Sequence, residues 1–273
     1  GSFRIGSLTK NGAGSMKLNT YNNFTGGTTV NNGTLELAGQ NSGYGWLRGA
    51  VTVNAGGTLA LTGGDGTGFG WNSPINSLTV DGGTVTANSA HIGFGAITVA
   101  LNNGGTISGN WNWNGDGGLN FSSSGDSTNT ISGALNLRSD GGANHTFNVA
   151  EGAAAVDLQV SANLTDQYPE VWWVPASALV KTGAGTMVLS GNNSYNGSTT
   201  VSAGKLVVSG DISTSSITVQ AGAAFEFAGT THYVGPITVD AGTLTLNNPV
   251  IDDASPLVIT SGSTVNLNFT GND

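Results

Sequence analysis

"KTGAGTMVLSGNNSYNGSTT", Lys181 to Thr200, contains no Cys, no His, no acid and one base. It is Gly, Ser, Thr and Asn set around a few apolar residues. Nearly the same string stands much earlier in the chain, as "KNGAGSMKLNTYNNFTGGTT", Lys10 to Thr29. Extended to Leu8–Gly39 and Leu179–Gly210, the two copies align over 32 positions without a gap and share fifteen identities. The shared residues include Lys10/Lys181, Gly12/Gly183, Gly14/Gly185, Met16/Met187, Gly26/Gly197 and Gly33/Gly204. An internal repeat of this kind governs the reading of the whole fold.

Between the copies runs a shorter unit: strand, Gly turn, strand. It is seen in "AVTVNAGGTLALTGG" (Ala50–Gly64), "SLTVDGGTVTANS" (Ser77–Ser89) and "PITVDAGTLTLNN" (Pro236–Asn248). The last residue of each "TV"-type strand marks a period. Val201, Val219, Val239 and Ile259 are 18, 20 and 20 apart, and Val30, Val53, Val80 and Val99 are 23, 27 and 19 apart. Short strands recurring at roughly this interval predict a β-solenoid, in which each coil stacks on the last. The strands alternate Val, Leu, Ile and Thr between Gly, Asn and Asp. Corners such as "NNG", "DGG" and "SAG" supply the positive φ that a tight turn needs. About 13 coils of roughly 20 residues would give a rod roughly 60 Å long. Hairpins in a β-sandwich or meander are the competing reading. The period and the scarcity of charge on either strand face favour the solenoid.

Composition narrows the function classes. Charged residues make up 8% of the 273, against about 25% in ordinary soluble domains. The net charge is −9 with seven Lys and Arg, so the electrostatic footprint of a nucleic-acid binder is missing. No apolar run reaches the ~20 residues of a membrane-spanning helix. No signal peptide is visible. With no Cys, disulfides and thiolate metal sites are excluded. The abundance of Gly, Ser, Thr and Asn would suit a disordered chain, but regularly spaced β-branched residues argue for order. Two segments break the rhythm, Asn110–Thr130 and Ala153–Ala178, and are expected to be irregular coils or projecting loops.

The long copies resemble the passenger-associated repeat of autotransporters (the autotransporter-associated β-strand repeat). Lys181-Thr182-Gly183-Ala184-Gly185, Leu189-Ser190-Gly191-Asn192-Asn193, Tyr195, Gly197, Thr199-Thr200-Val201 and Gly204-Lys205-Leu206 carry the resemblance. The early copy departs from it with Phe24 in the place of Tyr195 and Asn19-Thr20 in the place of Ser190-Gly191. The resemblance implies an all-β fold, a right-handed parallel β-helix secreted to the cell surface. In that family the repeat is associated with passing the passenger out, not with catalysis. Nothing resembles the membrane β-barrel that follows a passenger, so the chain is expected to be a fragment, a processed product or a related surface protein.

Residues 1–273 are therefore expected to form one β-helical rod, non-catalytic, extracellular, without cofactor or bound metal. The uncapped strands at both ends predict end-to-end pairing of copies into a surface fibre or filament. Two other readings stay open. An adhesin would hold glycan or a host protein on Trp-bearing loops, with Trp111, Trp113, Trp172 and Trp173 as the candidate binding surface; in the bland reading the same rings cap the core. A β-helical polysaccharide enzyme would need clustered acids. Asp252-Asp253 is the acidic pair, and neighbours in a strand point to opposite faces. His91, His145 and His232 are scattered singly and are expected at surface or half-buried strand positions. "GGDGTGFG" (Gly63–Gly70) faintly resembles a calcium-binding nonapeptide but does not repeat.

Overall fold

The computed structural model describes residues 6–20, 22, 24–39, 47–63, 67, 75–92, 97–116, 120–141, 144–166, 175–228, 232–233, 235–248, 250–251 and 255–269. Among them there is no helix. Two long sheets share the chain, which visits them alternately. The first has 12 strands, from Leu8–Lys10 to Leu257–Ile259; the second has 13, from Ser15–Leu18 to Thr264–Asn268. In the second, Asn163–Asp166 pairs with Asn129–Gly141 beside the main order. A short third sheet pairs His232–Tyr233 with Val250–Ile251. The strands run parallel from coil to coil. The molecule is a parallel β-helix, and the hairpin alternative is excluded.

Register can be followed along the rod. One inward row of the first sheet passes through Leu8, Thr28, Val51, Leu78, Val99, Phe121 and Phe147. It continues through Lys181, Val201, Val219, Val239 and Ile259. The steps are uneven: the shortest runs from Val201 to Val219 and the longest from Phe147 to Lys181. The expected thirteen coils thus become twelve longer ones, one for each strand of the first sheet. The difference lies in the middle of the chain, where the long step to Lys181 takes up sequence that would otherwise make a further coil. Eleven spacings of ~4.8 Å give about 53 Å from first rung to last.

The core is the space between the sheets. Strands bury alternate residues because strand side chains alternate between faces. Gly57–Leu61 and Thr243–Asn247 are examples, with Leu59, Leu61, Leu244 and Leu246 inward. Each such side chain contributes roughly 1.5–3 kcal/mol on leaving water. Across the second sheet, Val160, Leu189, Val208, Phe227, Leu246 and Leu267 stack in one row.

The segment 110–130, read above as irregular, is strand for most of its length. It holds the end of Thr106–Asp116, all of Asn120–Ser124 and the start of Asn129–Gly141. Its register slips between Gly109 and Trp111, a bulge that bends the strand and masks the alternation. Within 153–178 the structure places Leu158–Val160, Asn163–Asp166 and the first residue of Ala178–Thr182 in the sheets, and residues 167–174 lie outside the described residues.

Candidate functional site

The repeated lysine is a charged group held inside the rod by backbone carbonyls. Lys181 sits at an inward position of its strand, between Phe147 and Val201 in register, and is fully buried. Its ammonium donates to the carbonyl oxygens of Thr182 at 2.9 Å, Gly183 at 2.8 Å and Ala203 at 3.0 Å. Lys10 repeats the arrangement, donating to Asn11 at 3.0 Å, Gly12 at 2.6 Å and Asn32 at 2.9 Å. An ammonium has three protons, and each finds one acceptor. Two carbonyls belong to the lysine's own corner, and the third belongs to the corner of the next coil. Burial pushes the Lys181 amine down to about 8, opposed by the negative charges of Asp157 and then Glu151.

The glycines of the motif make this geometry possible. Gly183 has φ +75° and Gly204 φ +64°. A Cβ on Gly204 would lie 2.5 Å from the Gly183 carbonyl oxygen and 2.6 Å from that of Gly185. Gly33 stands in the same relation to Gly12, at 2.5 Å. Only glycine lets the two corners approach closely enough to share one lysine.

A buried carboxylate completes the second copy. Asp157 accepts from the backbone N–H of Gly152 at 2.8 Å and of Thr186 at 2.7 Å. Farther along the repeat, Tyr195 is fully buried with its hydroxyl 2.6 Å from Thr199 Oγ1, and burial pushes its ionisation upward. Phe24 occupies the matching place in the first copy and is partly buried.

Polar side chains are also joined in ladders along the axis. Asn31 donates to Asn11 at 2.8 Å and Asn54 to Asn31 at 2.7 Å. Thr165 donates to Asn136 at 2.6 Å, Asn136 to Asn112 at 2.8 Å, and Asn112 lies 3.1 Å from His91 Nε2.

The four candidate tryptophans divide. Trp111 and Trp113 are buried in the core, 1% and 0% exposed. Trp111 donates its indole N–H to the Ser108 carbonyl at 3.0 Å. Trp113 lies 6.0 Å from Phe121 and 6.4 Å from Phe147, in a stacked cluster whose two phenyl rings are 5.2 Å apart. A buried ring cannot stack on a sugar, so these two leave the candidate surface and take the core role. Trp172 and Trp173 lie outside the described residues, as do Asp252-Asp253 and most of Gly63–Gly70. His145, expected near the surface, is 0% exposed, and burial pushes its imidazole down to about 4 against the opposing charge of Asp166 and the Arg138 carbonyl. In the sequence Lys10 and Lys181 stood out as repeat identities and His145 as a lone histidine, none with a buried role, and Asp157 gave no signal. The period did carry a sign of the lysines and His145, since all three occupy positions of the inward, mostly apolar rows.

Residues 8–37, 179–208 and 224–246 match a family model described as the passenger-associated-transport-repeat. No curated protein matches the chain, and neither does any solved structure. The third region aligns with 186–208 at an offset of 38, pairing Tyr233 with Tyr195, Gly235 with Gly197, Val239 with Val201 and Gly242 with Gly204. Continued back by the same offset, Val219 falls where the second copy has Lys181. Three segments of the chain thus match the passenger-associated-transport-repeat, and two of them are built on a buried lysine that ties one coil to the next.

Proposed function

We propose that this chain is a non-catalytic structural rod of an autotransporter-type passenger, and that its repeats serve to lay one coil on the next. The repeats themselves support a passenger domain, and with it a secreted or cell-surface protein. The observation that carries the finer reading is how the repeat spends its chemistry. Lys181 gives all three protons to backbone carbonyls, Tyr195 is turned into the core, and the glycines are fixed by contact between corners. None of these groups is presented to a substrate.

Self-association belongs to the same proposal. Leu257–Ile259 and Thr264–Asn268 are the last described rungs of the two sheets, paired on one side with Ile237–Val239 and Thr243–Asn247. The edge of a parallel coil can pair with a further β-coil, and in this proposal a second copy supplies it. The Leu8–Lys10 strand of a second copy equals Leu257–Ile259 in length and Ser15–Leu18 is one residue shorter than Thr264–Asn268, with Leu8, Met16 and Leu18 packed toward the core. Negative-stain electron microscopy and sedimentation over a hundredfold range of concentration test both parts. Rods about 53 Å long between end rungs are expected, lengthening into fibres as concentration rises. Rods unchanged by concentration would overturn the stacking, and turnover of a polysaccharide by the purified chain would overturn the non-catalytic reading.

A further inference from the structure

The outer face of the first sheet holds a concavity that the rod reading does not use. Its volume is about 370 Å³, and it is lined by Thr98, Asn120, Ser122, Thr146, Asn148 and Thr182 over the backbone of Phe121. That size lies within the range of small-ligand sites. The lining comes from four successive rungs. Thr98, Asn120 and Thr146 are register partners in one row; Ser122, Asn148 and Thr182 are partners in the next row along the strands. Adjacent groups within a row are therefore about 4.8 Å apart.

Two features distinguish this patch. First, the lining carries no charged side chain. Second, its polar side chains are unspent. Elsewhere on the rod Asn side chains are joined into ladders, as in Asn11–Asn31–Asn54 and Asn112–Asn136. The side chains of Asn120 and Asn148, by contrast, make no hydrogen bond within the described residues, and both are exposed. Two carboxamides and four hydroxyls thus face solvent from one concave surface, each able to donate and accept. Beneath them the Trp113, Phe121 and Phe147 rings stack in the core and stiffen the floor.

We propose that this cleft binds a neutral oligosaccharide laid along the rod axis. Sugar hydroxyls also donate and accept, and a row of them meets a row of Asn and Thr side chains without desolvating a charge. The lining offers no cation for a sulfate or carboxylate and no carboxylate for a metal or an amine. With the Trp111 and Trp113 rings below the sheet, recognition rests on hydrogen bonds from the Asn, Ser and Thr side chains and on contact with their methyl and methylene groups, and the affinity is weak. The proposal goes beyond the structural reading, and a rod without such a site would leave that reading intact.

The test is a titration of the ¹⁵N-labelled chain, followed by NMR through about 1 mM sugar. The probes are neutral tetrasaccharides of β-1,4-glucose, α-1,4-glucose and β-1,4-N-acetylglucosamine, with tetragalacturonate as the acidic control. Saturable shifts of the Asn120 and Asn148 side-chain amides with at least one neutral sugar are expected. The double variant Asn120→Ala/Asn148→Ala, with an unchanged unfolding midpoint, should weaken that sugar about tenfold. Absence of shifts with all three neutral sugars, shifts mapping elsewhere, preference for tetragalacturonate, or undiminished binding by the folded double variant would each overturn the proposal.

Discussion

Acidification should loosen the rod at His145. This imidazole is 0% exposed in the row of the first sheet that also holds Leu179, and it titrates near 4 in place of 6.5. Burial is the leading cause, so the folded state holds the neutral form. The unfolded chain takes up a proton as pH falls below about 6.5, while the folded chain does so only near 4. Stability from this group is therefore fully present above the unfolded value and is lost as pH falls toward the folded one. At about 1.4 kcal/mol per unit, the gap sets a ceiling of about 3 kcal/mol, of which about 2 kcal/mol falls between roughly pH 7.5 and pH 5. Carboxylates contribute their own pH dependence over part of this range, so the comparison is with His145→Phe, which keeps the ring and removes the titration. Urea unfolding of both proteins at the two pH values gives the difference. The wild type should lose about 2 kcal/mol more than the variant. Amide exchange within Asn144–Val149 and Ala178–Thr182 should show where the loosening begins. Equal losses in the two proteins would refute the reasoning, because they would mean that the folded state takes up the proton at His145 as readily as the unfolded chain does.

Replacing the repeat lysine should cost more than an ordinary surface change. Lys181→Met leaves three corner carbonyls without a donor, and a drop of about 3 kcal/mol in unfolding free energy is expected, partly offset because a buried ammonium is also removed. Urea titration measures it, and no loss would mean that water replaces the ammonium. Gly204→Ala combines a positive φ with a contact to the Gly183 oxygen, so a loss above about 2 kcal/mol is expected in the same assay. Tyr195→Phe should cost about 1 kcal/mol by removing the bond to Thr199; the first copy already carries Phe24 at that place.

Much of the fold was legible because solenoid coils repeat their own corners. Gly33 and Gly204, or Val201, Val219 and Val239, keep their roles at nearly fixed intervals, and that regularity is visible as spacing. The coil count was harder, since the long step from Phe147 to Lys181 contains residues outside the strand pattern. For Trp111 and Trp113, where a surface role and a core role were both open, the core role holds. "NWNW" at 110–113 is itself a strand alternation, Asn110 and Asn112 outward and Trp111 and Trp113 inward, hidden by its Gly-rich flanks and the bulge after Gly109. His145 shows the same signal: in "HTFNV" the residues His145, Phe147 and Val149 alternate onto the inner face. Residue type suggested surface while period indicated core. The cleft over Phe121 could not be read from the sequence at all, because it depends on the curvature of four stacked rungs.

The two lysine-bearing copies and the lysine-free third unit suggest what the motif does during assembly. A coil of a parallel β-helix makes its contacts with the coil before and the coil after, so ordering can spread from any finished coil. At most coils the inward residue at this register position is apolar, as Val219 is, and any apolar neighbour satisfies it. Lys181 differs, because its third acceptor is the Ala203 carbonyl, which comes into place only when the following coil has turned its corner. Until then one proton of a charged, partly desolvated ammonium lacks its partner, a costly state in a low-dielectric setting. Formation of the next coil removes that cost, so the lysine couples the two coils more tightly than an apolar residue would. Lys10 places the same coupling between the Leu8–Lys10 coil and the one after it through the Asn32 carbonyl. A coil carrying the lysine is therefore least stable alone and gains most from its successor, which makes folding at these repeats cooperative across a coil boundary. Each lysine-bearing repeat thus converts the arrival of the next coil into closure of the last.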